Sequence, residues 1–195
     1  ERCVVDRLYE TMYRLLADTT SDFLRYKYQD INWDNRMLGL VGPRGVGKTT
    51  LFLQRIKRQG DLDHSLFFSA DDIYFSDHTI LETAEDLCKR NGRYLYIDEV
   101  HKYPNWSREL KIIYDSCPGL HVYFTGSSIL DIERGEADLS RRAPRYLMQG
   151  LSFREFLALR HGIRIEAFSL EEILSNKAAI PGVNHPIPLF EEYLR

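Results

Sequence analysis

The hydrophobic positions of this chain alternate between two periods. Val5, Leu8, Tyr9, Met12, Leu15 and Leu16 recur at helical spacing and predict an amphipathic N-terminal helix. The stretch from Ser21 to Gln29 reads as a second helical segment. Short apolar runs follow, at Met37–Val41, Ser65–Ser69, Tyr94–Ile97, His121–Phe124 and Arg145–Met148, and each is the length of a strand. Helical patterns separate them. One runs from Thr50 to Arg58 with Leu51, Phe52, Leu53 and Ile56, and one from Thr79 to Asn91. The latter opens on a Thr79-x-x-Glu82 capping box and stops at Gly92. A third carries Trp106, Leu110, Ile113, Tyr114 and Cys117 on one face, ahead of Pro118-Gly119. Downstream, Ser152-x-x-Glu155 caps a short helix ended by Gly162, and Ser169-x-x-Glu172 caps another.

This order predicts an α/β fold, a parallel five-stranded sheet with helices on both faces. Residues 1–30 form the N-terminal helical segment and 31–163 the core. Residues 164–195 start a helical lid, interrupted by Pro181, Pro186 and Pro188. There are no internal repeats and no low-complexity tracts. Starting at Glu1 without methionine and stopping at Arg195 within a helical Leu189–Leu194 pattern, the sequence reads as a piece of a longer protein.

Composition narrows the class. At 44% hydrophobic and 28% charged residues, the chain is ordinary for a globular protein. A net charge of -3 gives it no overall attraction to nucleic acid, although a local basic patch is open. The clusters Lys89-Arg90-Arg93 and Arg160-His161-Arg164 read as solvated surface. No apolar run approaches the ~20 residues that span a bilayer. Cys3, Cys88 and Cys117 are far apart and lack zinc-site spacing, so reduced thiols and a cytoplasmic location are expected.

Gly42-Pro43-Arg44-Gly45-Val46-Gly47-Lys48-Thr49 fits the phosphate-binding pattern G-x-x-x-x-G-K-[ST], between an apolar strand and a helix. The glycine turn would aim backbone N–H groups at a phosphate chain, and the helix N-terminus would add partial positive charge. Lys48 would reach the β- and γ-phosphates, Thr49 would place its hydroxyl on Mg²⁺, and Thr50 completes the cradle.

Asp98 and Glu99 end a strand expected beside that of the P-loop, where ligands of parallel α/β sheets sit. Asp98 would hold Mg²⁺ through water and Glu99 would deprotonate an attacking water. Thr125 and Ser127, just after the next strand, are alternative sensors of the γ-phosphate. Arg141 and Arg142 precede the last strand and could supply a guanidinium to a neighbouring protomer. His101 could line the site, but packing against Trp106 is the preferred reading. Asp71-Asp72 reads as a loop cap.

Gly42–Thr50, Tyr96–Trp106, Thr125–Ser128 and Leu151–Phe156 together resemble one family, the prokaryotic AAA+ superfamily ATPases related to archaeal-type ATPases. The resemblance implies an AAA-type ATPase core with a helical lid, followed by a restriction-endonuclease-like domain. By position it implies Lys48 and Thr49 as the P-loop pair, Asp98 as the magnesium ligand and Glu99 as the catalytic glutamate. Arg142 falls where the family has a Gly-Arg pair. Because Arg141 replaces that glycine, which arginine acts stays open. Gly150 stands where the family has proline.

The leading expectation is therefore Mg-dependent ATP hydrolysis coupled to a lid or C-terminal domain, with ATP and ADP as ligands and a homo-oligomer possible. A non-hydrolysing nucleotide switch and a small-molecule kinase are the alternatives. A GTPase would need Asn-Lys-x-Asp, and Asn176-Lys177 continues as Ala178-Ala179.

Overall fold

Five strands, β1 (Met37–Val41), β2 (Ser65–Ser69), β3 (Tyr94–Asp98), β4 (His121–Gly126) and β5 (Arg145–Leu147), pair in parallel in the order β2-β3-β4-β1-β5. The computed structural model describes residues 6–127, 139, 141–175, 183 and 186–194. Cys3, Val5, Ser128 and Pro181 lie outside them. Helices α1 (Asp6–Asp18), α2 (Lys27–Asp30), α3 (Lys48–Gln59), α4 (Ile80–Lys89) and α5 (Trp106–Ser116) belong to the same unit as the sheet. Among the described residues, no helix is long and apolar enough to cross a membrane.

Alternate residues of a strand face opposite ways, so the sheet carries two cores. Leu66, Phe68, Leu95, Ile97, Val122 and Phe124 join α4 and α5 through Ile80, Ala84, Leu87, Leu110 and Ile113. Leu38, Leu40, Phe67, Tyr96 and Tyr123 join Leu51, Phe52 and Ile56 of α3. Helix α1 packs along β2, giving Leu8 to the first cluster and Met12 and Leu16 to the second. Each such fully buried side chain contributes about 1.5–3 kcal/mol. The Tyr96 and Tyr123 rings lie 5.1 Å apart, and their hydroxyls donate to Gln59 Oε1 (2.8 Å) and the Trp33 carbonyl (2.6 Å). Burial pushes both phenols above their ordinary pKa, which keeps them neutral donors.

The structure departs from the sequence reading in several places. Residues 19–26 are irregular, and only Lys27–Asp30 is helical in the expected second segment. Side chains of α3 take the carbonyls a helix would have used. Gln54 Nε2 donates to Thr20 O (2.9 Å) and Phe23 O (2.8 Å), and Lys57 Nζ donates to Thr19 O (2.5 Å). Strand β3 is not beside β1, since β4 lies between them. Asp72 does cap the short 3₁₀ turn Ile73–Ser76, accepting from Tyr74 N at 2.8 Å, and it also pairs with Arg7 at 3.0 Å.

The chain divides into two compact units, Glu1–Gln149 and Gly150–Arg195. The sequence reading draws the end of the core at 163. The division falls earlier because α6 (Phe153–His161) packs with α8 (Pro186–Tyr193), through Phe153, Phe156, Phe190 and Tyr193. Pro186 and Pro188 start α8 rather than interrupt it, because first-turn N–H groups have no intrahelical acceptor to lose. Both expected capping boxes form, at the start of α6 and of α7 (Leu170–Leu174).

The end of α4 shows how local sequence works here. Asn91, not Gly92, takes the left-handed conformation (φ 60°), and Gly92 N donates to Leu87 O at 2.8 Å. Gly92 is required for another reason: a Cβ there would lie 2.3 Å from the Leu87 side chain and 2.8 Å from its carbonyl oxygen. Asn91→Ala is expected to cost about 1 kcal/mol through the left-handed backbone. Gly92→Ala should cost about 1–3 kcal/mol through overpacking. Urea unfolding midpoints of the two variants check both values.

Candidate functional site

The glycine turn leaves β1 at the C-terminal end of the sheet and runs into α3, whose first residue is Lys48. Gly42 N donates to Gly126 O (3.3 Å), and Met148 N donates to Val41 O (2.7 Å), so β4 and the chain after β5 hold the turn. A Cβ on Gly42 would meet the Met148 carbonyl oxygen at 2.0 Å, which admits no side chain. Gly45 and Gly47 adopt φ of 78° and 92°, in the left-handed region that glycine tolerates. Pro43, Arg44 and Gly45 are exposed, as is Thr50, while Val46 is half-buried. The Lys48 side chain is buried, and its Nζ donates to the carbonyls of Gly42 (2.8 Å) and Pro43 (2.7 Å). Burial lowers its pKa, and the charges of Glu99 and Asp98 partly oppose that.

Strand order places the acidic pair. Leu40 and Val41 of β1 pair with Thr125 and Gly126 of β4, and Ile97 of β3 pairs with Phe124. Thr125 therefore stands between the two chemical strands. Its Oγ1 donates to Asp98 Oδ1 and accepts from Glu99 N at 3.0 Å. Thr49 Oγ1 donates to Asp98 Oδ2 at 2.7 Å, joining the first turn of α3 to the end of β3. Asp98, 6% exposed, thus has a hydroxyl donor on each oxygen, which a buried carboxylate requires. Glu99 follows in a left-handed conformation (φ 51°), uncommon for a residue with a side chain.

The sequence reading left Thr125 and Ser127 as alternatives, and the structure gives them different partners. Thr125 engages Asp98, whereas Ser127 Oγ donates to Glu99 Oε1 at 2.6 Å. Lys48, Thr49, Asp98, Glu99 and Ser127 are thus linked by contact or by sequence at the strand ends. Arg142 is placed differently: its Nε lies 3.5 Å from Asp115 Oδ1 and its guanidinium 5.8 Å from the centre of the Tyr114 ring, both on α5. His101, expected against Trp106, has Nε2 3.4 Å from Glu99 Oε2. A cavity of about 570 Å³ opens at the opposite ends of the strands, lined by His64, Cys88, Arg93 and Cys117 among others. It lacks the glycine turn and the carboxylates.

Arg25 is the residue that sequence reasoning missed. It sits in the irregular segment before α2, where no periodicity or motif marks it. Its guanidinium donates to Val46 O in the glycine turn (2.5 Å) and to Gln149 O after β5 (2.9 Å). A forked cation thereby fastens the outer side of the turn to the segment that follows the edge strand. Arg25→Ala should destabilise the protein by about 1–3 kcal/mol, the range for hydrogen bonds made by a charged group. Arg25→Lys should recover less than half of this, because an ammonium cannot span the two carbonyls as a fork does. Urea denaturation of the three proteins measures both effects.

The chain is similar to known proteins in sequence and in fold. An uncharacterized protein of Methanocaldococcus jannaschii is 32% identical over 157 residues, which cover 74% of this chain and 32% of that protein. The chain thus spans about a third of the length of this relative. Among solved structures, the Saccharomyces cerevisiae Hsp104:casein complex matches 84% of this chain and 35% of the Hsp104 chain, at a TM-score of 0.53 and 17% identity. That likeness is one of fold. Caenorhabditis elegans PCH-2 matches 94% of this chain and 56% of its own, with a TM-score of 0.43 and 17% identity. Residues 34–157, more than half of the sequence, match the family described as AAA domain. The chain belongs to that family.

Proposed function

We propose that this domain binds ATP with magnesium, hydrolyses it, and transmits the change of nucleotide state to the helical unit or to a further domain. The observation that carries the reading is the 2.7 Å hydrogen bond from Thr49 to Asp98, which joins the phosphate turn to the acidic strand end. Magnesium prefers hard oxygen ligands and keeps several waters. Thr49 Oγ1 and Asp98 fit such a site. Among the described residues, no group of three or more His, Cys, Asp or Glu side chains offers a protein-only cage. Bound there, the ion would neutralise charge on the β- and γ-phosphates.

The chain's own residues divide the remaining work. An arriving triphosphate replaces the Gly42 and Pro43 carbonyls as acceptors for Lys48, and its negative charge favours the ammonium that burial disfavours. A water oxygen attacks the γ-phosphorus and the bond to the β–γ bridging oxygen breaks, releasing ADP and phosphate. Glu99 accepts the proton of that water. Ser127, bonded to Glu99, couples the end of β4 to the base. Arg142 acts from a second copy of the chain. Its partner Asp115 is half-exposed, so the ion pair is weak and readily exchanged for a phosphate.

Glu99→Gln should keep ATP affinity and lower turnover by about 10²–10⁴-fold, the usual worth of a general base. Phosphate release and equilibrium nucleotide binding measure the two quantities, and wild-type turnover in this variant would overturn the mechanism. If Arg142 acts across an interface, turnover per chain should rise with protein concentration, and Arg142→Ala should abolish the rise. A flat profile for the wild type removes the arginine from the scheme.

A further inference from the structure

Glu99, Ser127 and His101 form a closed polar ring. Ser127 Oγ donates to Glu99 Oε1 at 2.6 Å. His101 Nε2 lies 3.4 Å from Glu99 Oε2, and Ser127 N donates to His101 Nδ1 at 3.5 Å. The short 3₁₀ turn Val100–Lys102, closed by Lys102 N to Glu99 O at 2.9 Å, brings the imidazole back beside the glutamate two positions before it. At 11% exposure the His101 side chain is largely out of water. Glu99 Oε2 is buried and, among the described residues, has no well-formed hydrogen bond, so a donor nearby is strongly favoured.

We propose that His101 is a positioning residue for Glu99, holding the orientation of the carboxylate through Nε2–H. This rests on the reading of Glu99 as the base. A neutral imidazole has one donor and one acceptor nitrogen. Because the Ser127 N–H occupies Nδ1, the proton resides on Nε2, the nitrogen facing the glutamate. Ser127 and His101 then hold one oxygen each and fix the carboxylate plane, while a lone pair on Oε1 stays available to a water. The ring also connects the end of β4 to the base through a second path: displacement of Ser127 moves Oε1 directly and Oε2 through the imidazole.

The test uses the whole chain and two independent readouts. Long-range proton–nitrogen NMR of the nucleotide-free protein should show His101 protonated on Nε2 and bare on Nδ1. A proton on Nδ1 in the wild type overturns the proposal. In steady-state hydrolysis, His101→Phe should lower kcat about tenfold or more, with KM for ATP changed less than about twofold, as expected when proton transfer is misaligned and binding is intact. His101→Gln restores a donor at the Nε2 position and should recover most of the loss with an unchanged Tm. Wild-type kcat in His101→Phe, or equal losses in both variants that follow Tm, would overturn it. Absence of turnover in the wild type would instead refute the ATPase reading, with the tautomer measurement still judging the ring.

Discussion

The Asp98 carboxylate is nearly inaccessible to water and takes one hydroxyl donor on each oxygen, from Thr49 on α3 and from Thr125 on β4. A charge in that position is costly unless its lone pairs are met. Meeting them ties together three parts of the chain that lie far apart in sequence. The glycine turn, the end of β4 and the end of β3 are consequently held at fixed spacing, and Glu99, the next residue, inherits its position from that arrangement. Its backbone is left-handed, and its N–H donates a hydrogen bond to Thr125 Oγ1.

Around this centre the molecule places polar atoms where the apolar layers run out. Two cores, one on each face of the sheet, hold the five strands in a common direction, so that all their C-terminal ends come out together. Lys48 is buried at that edge with carbonyls as its partners, an arrangement that suits exchange for phosphate oxygens better than permanent structure. Arg25 joins the glycine turn to the chain after β5, donating to the carbonyls of Val46 and Gln149. Ser127 and His101 contact the glutamate, whereas Thr49 and Thr125 contact the aspartate.

Much of this was legible in the residues. Short apolar runs gave β1 to β4, because a strand buried on both faces needs an apolar side chain at nearly every position. Capping boxes at Thr79, Ser152 and Ser169 were readable because each is a four-residue device that closes on itself. The segment from Ser21 to Gln29 was read as helix, but its first part is irregular, and the carbonyls of Phe23 and of the preceding Thr19 and Thr20 accept from Gln54 and Lys57, more than thirty residues away.

The sequence by itself determined the inventory: a phosphate turn between strand and helix, an acidic pair at a strand end, small polar residues after the next strand. These are local facts, set by periodicity and by the conformations that glycine and capping residues allow. Only the tertiary structure decided who meets whom. Inserting β4 between β1 and β3 made Thr125 the bridge to Asp98 and left Ser127 to Glu99, a choice that two hydroxyls two residues apart could not reveal. The tertiary fold also turned His101 to the glutamate, brought Arg25 to the turn, and set Arg142 against α5. Strand order and long-range hydrogen bonds depend on the packing of the whole sheet, and no window of neighbouring residues contains that information.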